Sequence, residues 1–180
     1  MSDSAVFFEP WFTDYADDDL HVLQISYLNG GLDATKLLED GRYGHFEVQP
    51  DQPGIAELTI KLFSYTKSEV FEVLFPDTIA HRVLDEHSLA ELWPLARPNH
   101  AMFRVGGHGW TVESPISFAL GDDKSWMIVT DWDCVEVVAT TAPIVRKVGP
   151  VARAIVDRPD DDDMGERDEM LTSRMTKRWH

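Results

Sequence analysis

Leu23, Ile25 and Tyr27 alternate with Gln24 and Ser26, the period of a strand buried on one side. Asn29-Gly30-Gly31 follows with the residues of a tight turn. Asp33–Glu39 then reads as a helical turn, and His45–Gln49 as a short strand ended by Pro50-Asp51-Gln52-Pro53-Gly54. Ile55–Ser64 carries the clearest alternation. Ala56, Leu58, Ile60 and Leu62 point one way, and Glu57, Thr59 and Lys61 the other. Glu69–Phe75 is a more continuously apolar strand. Only Tyr65-Thr66-Lys67-Ser68 separates the two, which suits antiparallel neighbours.

After Pro76 the pattern changes. Ile79 with Val83, and Ala80 with Leu84, stand four apart, so residues 77–93 read as the main helical segment. Ser88 and Glu91 have the spacing of a capping box, and Pro94 and Pro98 end the region. Strand-like segments return at His100–Val105, Trp126–Thr130 and Cys134–Ala139. Gly106-Gly107-His108-Gly109 reads as a hairpin or bulge. Trp110–Leu120 reads as an edge strand, or two short strands, kinked at Pro115. The expected fold class is therefore α+β: mainly antiparallel sheet, one central helical segment at about 77–93, and a C-terminal helix.

That last helix is read from Glu166–Arg178, where acids lead and Arg174, Lys177 and Arg178 close, as the helix dipole favours. Leu171, Met175 and Trp179 form one stripe at i, i+4 and i+8, expected to dock on the domain, a partner or, as a homodimer contact, a second copy. Charge also divides the chain. Of 32 acids, 24 lie in residues 1–145 with 8 bases, so that region carries the whole net charge of −16. Residues 146–180 hold 8 of each. The expected organisation is thus an acidic domain over 1–145 and a charged extension over 146–180.

A field of that sign repels phosphate backbones and attracts basic partners, so direct binding of nucleic acid is not expected. No apolar run is long enough for a membrane-spanning helix, and Met1–Ala5 lacks the features of a secretory signal, which predicts a cytoplasmic chain. Cys134 is the only cysteine, so no internal disulfide and no cysteine-rich zinc site can form.

Candidate chemistry is sparse. His81 and His87 lie six apart, which matches no standard metal helix, and neither a metal nor a cofactor is called for. His108 is surrounded by three glycines, so backbone could approach a ligand there, but a tight hairpin carrying a solvent-exposed histidine is the favoured reading. Asp131 and Asp133 flank Trp132, and in extended chain their carboxylates would share a face. They could do acid–base work, or merely form a turn. There is no nucleophile elbow, phosphate loop or calcium loop.

Two functions fit. The first is an acidic interaction protein that neutralises a basic protein partner, as an inhibitor or toxin-immunity protein does. It would act without catalysis, through Asp17, Asp18, Asp19, Glu39, Asp40, Asp85, Glu86, Asp122 and Asp123. The alternative is a small enzyme or ligand-binding domain with a cleft near His108, Asp131 and Asp133.

Overall fold

The computed structural model describes residues 5–49, 56–85, 89–92, 95, 98–130 and 132–150. Its strands are β1 (Phe7–Pro10), β2 (Leu20–Leu28), β3 (Leu32–Leu37), β4 (Tyr43–Val48), β5 (Glu57–Ser64), β6 (Glu69–Phe75), β7 (Thr78–Asp85), β8 (Met102–Gly106), β9 (Ser125–Val129), β10 (Asp133–Ala139) and β11 (Ile144–Pro150). Two short helices, α1 (Gly109–Glu113) and α2 (Pro115–Leu120), lie between β8 and β9. All strand pairs are antiparallel. The protein is therefore mainly β, in three sheets, and not α+β.

Sheet A runs β1-β8-β9-β10-β7, sheet B runs β11-β6-β5-β2, and β3 with β4 forms a separate hairpin. Sheets A and B share one core. Leu58, Ile60, Leu62, Phe71, Val73 and Phe75 of sheet B meet Met102, Ile128, Val135, Val137 and Ala139 of sheet A. The strict alternation of β5 produces this directly, since Leu58, Ile60 and Leu62 are all fully buried. Trp11 and Tyr15 seal one end: Trp11 meets Trp126 edge-on at 4.8 Å, and Tyr15 stacks on Phe71 at 3.7 Å.

The other face of sheet A is also covered. Leu89 and Leu92 pack on Phe103, Val105, Met127 and Cys134, while Trp110 and Phe118 of the two helices pack on Val138. This second cover explains why β10 reads as a nearly continuous apolar run: it is buried on both faces.

The expected helix at 77–93 is overturned by β7, whose Thr78–Asp85 pair with β10 along their length. A spacing of four residues is an even number, so it brings side chains to one side of a strand as well as of a helix. Ile79/Val83 and Ala80/Leu84 therefore could not discriminate, and the β-branched Thr78, Ile79 and Val83 favour the strand. Residues 33–39 are corrected likewise: the segment belongs mostly to β3, paired with β4.

Trp110–Leu120 is the opposite case, helical where strands were expected. Pro115 occupies the first turn of α2, where its missing N–H is no loss. The helix expected over 166–178, with Leu171, Met175 and Trp179, lies outside the described residues. β11 carries sheet B across residue 145, where the charge composition changes.

Candidate functional site

Gly107, just after β8, has φ of 75°, a left-handed turn that glycine makes without strain, and sends the next residue back over sheet A. That residue is His108. It is not an exposed turn residue: only 2 % of its surface is accessible. Its Nε2 lies 2.7 Å from Oε1 of Glu136, at the centre of β10. A carboxylate can only accept, so Nε2 carries the proton that faces Glu136, while Nδ1 lies 3.3 Å from the Thr111 hydroxyl.

Glu136 is the hub. Ser125 donates to the same Oε1 at 2.5 Å, and Arg82, directly across the ladder, places Nε and Nη2 at 2.7 and 2.6 Å from Oε2. The Arg82 guanidinium lies 4.6 Å above the Trp110 ring, and Phe118 meets both Trp110 and His108 edge-on. Burial alone would push the Glu136 carboxyl up. The hydrogen bond and charge of His108, with Arg82 and Ser125, hold it below the ordinary glutamate range instead.

This cluster resembles a catalytic constellation only in its residue types. In a nucleophilic triad the histidine stands between hydroxyl and carboxylate; here the carboxylate stands between Ser125 and His108. Both Glu136 oxygens are occupied, and His108, Ser125 and Glu136 are buried. The arrangement is an anchor for α1 on sheet A. Sequence reasoning singled out His108 but missed Arg82 and Glu136. Their one available signal was a pair of charges within two apolar strand segments.

The clefts suggested by sequence sort differently. By strand alternation Asp133 shares the parity of Val135 and Val137, toward sheet B, whereas His108 meets Glu136 on the opposite face. Asp131 lies outside the described residues, as does Glu86. Asp133 instead stands directly opposite Asp85 across the β10–β7 ladder. Among the described residues no group of histidine, cysteine, aspartate and glutamate is arranged to hold a metal.

The acidic clusters are dispersed. Asp17, ion-paired with His100, sits at the same end of sheet A as Asp85 and Asp133, because β8 begins there and Ala101 bonds Ala16. Trp132, 72 % exposed, lies in the turn at that end. Asp19 is exposed beside the β5–β6 turn, its backbone N–H donating to Thr66. Asp18 is buried, accepting from Ser64 at 2.6 Å and Lys67 at 2.7 Å, which makes it a structural group. Asp122 and Asp123 occupy left-handed turn positions at the far end of the sheet, with Asp122 within 3.5 Å of Arg104 and Lys124. Glu39 and Asp40 lie at the tip of the β3–β4 hairpin, where Asp40 binds Arg42.

An open groove of about 660 Å³ runs between Trp11–Tyr15 and the β6–β11 edge, with Lys67, Glu69 and Lys147 along it. Its polar groups are engaged with one another: Tyr15 donates to Glu69 at 2.9 Å, Lys147 pairs with Glu69, and Lys67 binds Asp18. Burial, then the Glu69 contact, pushes the Tyr15 phenol up to about 12. In an alkaline absorbance titration of the four tyrosines, one is therefore expected to ionise about two units after an ordinary phenol, and Tyr15→Phe to remove that late step. A late step that survives the substitution would place the buried phenol elsewhere.

No known family pattern, curated protein or solved structure matches this chain.

Proposed function

We propose that this chain is an acidic interaction protein that binds and neutralises a basic protein partner, in the manner of an inhibitor or immunity protein. The observation that carries the reading is the register of β10 on β7. It sets Asp133 opposite Asp85, at the end of sheet A that also presents Asp17 and the exposed Trp132. Adjacent carboxylates concentrate negative potential, and a neighbouring tryptophan supplies the apolar anchor typical of interface centres. The surrounding charge of −16 would steer a basic partner from a distance. His108, Ser125 and Glu136, the groups that could do acid–base or nucleophilic work, are buried, which favours binding over catalysis.

The test compares the full chain with Asp85→Asn/Asp133→Asn as immobilised bait for host lysate at low salt. Basic proteins retained by the parent and lost by the variant support the reading. Association with the retained protein should also slow at least tenfold as salt rises from about 0.01 to about 0.15 M, where the Debye length falls from about 30 to about 8 Å. Equal retention by both chains, or association indifferent to salt, would exclude this surface.

A further inference from the structure

The β3–β4 hairpin is built like a half-buried ribbon, yet none of its side chains joins any of the three core clusters. Its register pairs Leu32 with Val48 and Ala34 with Phe46 on one face. Leu38 extends that face near the tip. A Cβ on Gly44 would lie about 3 Å from both the Phe46 ring and Leu38, so glycine there lets the two close over the strand. Apart from Lys36, opposite Gly44, the face is apolar, yet Leu32, Phe46 and Val48 are 48, 43 and 58 % exposed. The opposite face carries Asp33 opposite Glu47 and Thr35 opposite His45, and becomes apolar only near the tip, where Leu37 stands opposite Tyr43. An isolated two-stranded hairpin is marginal in water, and amphipathic alternation of this kind normally reflects a surface packed on one side.

We propose that the apolar face of this hairpin is the docking surface for the chain's own C-terminal segment, residues 170–180. Three observations point to that occupant. First, the segment has the matching pattern: Leu171, Met175 and Trp179 repeat every four residues. Second, its charge is complementary. Residues 170–180 hold Arg174, Lys177 and Arg178 and no acid, whereas the hairpin as a whole is acidic: Glu39 and Asp40 lie at its tip with Arg42, and Asp33 and Glu47 on its other face, against Lys36 on the apolar one. A second copy would instead bring two bodies of net charge −16 together. Third, the chain reaches. β11 ends opposite Glu69, at the Leu20 end of sheet B, while the hairpin leaves from Leu28. That offset is roughly 27 Å along the strands and 14 Å across them. The connection from Pro150 to Leu171 can extend to roughly 70 Å.

Hydrogen exchange of the full-length chain tests this. Amides of residues 32–48 are expected to exchange at least tenfold more slowly in the parent than in full-length Met175→Asp/Trp179→Asp, with the mass in solution that of a monomer for both. Phe46→Asp should release the same amides and also raise exchange in residues 170–180, which a merely local weakening of the hairpin would not do. Equal protection of the hairpin in parent and tail variant overturns the proposal. So does protection that rises with protein concentration alongside a doubled mass, which would identify a second copy as the occupant.

Discussion

Glu136→Ala is expected to lower the melting temperature by roughly 6–20 °C. Removing one member of a buried ionic cluster costs about 3–5 kcal/mol, and a domain of this size loses about 2–4 °C per kcal/mol. The cost arises from what is left behind: the Arg82 guanidinium under Trp110 and the His108 imidazole, both facing a site without their acceptor. Replacing Arg82, His108 and Glu136 together by apolar residues of similar volume should cost less than Glu136→Ala alone, because no orphaned charge remains. Equal or larger loss in the triple variant would show that the cluster contributes more than its own satisfaction. The pH dependence has a definite sign. The folded carboxyl lies below its ordinary value of 4.5, so its contribution is fully present above that value and is lost as pH falls through the folded one. The stability difference between the parent and Glu136→Gln should therefore narrow below about pH 4.5 and stay level from about pH 5 to 7.

Phe118→Ala is expected to destabilise by about 3–5 kcal/mol, the usual cost of a fully buried phenylalanine. Its ring is the contact that α2 makes with both Trp110 and His108, so the loss should spread beyond the cavity itself. Thermal melts would give the magnitude. Loss of protection at the amides of residues 109–120, with sheet B unchanged, would show that the helical cover opens before the sandwich does. Simultaneous loss throughout the chain would instead show that cover and sandwich form one cooperative unit.

In sheet B, β2 and β5 were readable from sequence because one-sided burial writes itself as alternation and β6 from its apolar run, whereas β11 was not read as a strand. Leu58, Ile60 and Leu62 are the plainest case. Sheet A was harder, since a second cover removes the alternation from β10. β7 was misread because its apolar pairs stand at a spacing common to both periods, and α2 because a proline that starts a helix resembles one that breaks a strand. Of the candidate residues, His108 was noticed for its glycines, but its burial follows from where Gly107 aims the chain. Glu136 could be recognised only from the strand register that sets it against Arg82, which lies 54 positions away.

The switch from β6 in sheet B to β7 in sheet A has a consequence for synthesis. The β5–β6 hairpin is local and can form as soon as Phe75 is made. Its buried face, however, is covered by β9 and β10, and β7 has no neighbour in its sheet until β10 arrives. At roughly 5–20 residues per second, Ala139 follows Phe75 by about 3–13 s. During that interval Leu58, Ile60, Phe71 and Val73 lack the sheet A half of their core, with only the earlier Trp11, Tyr15 and Leu20 to cover them. The nascent chain therefore depends on shielding by a chaperone or the ribosome surface far more than the finished, doubly covered sandwich does.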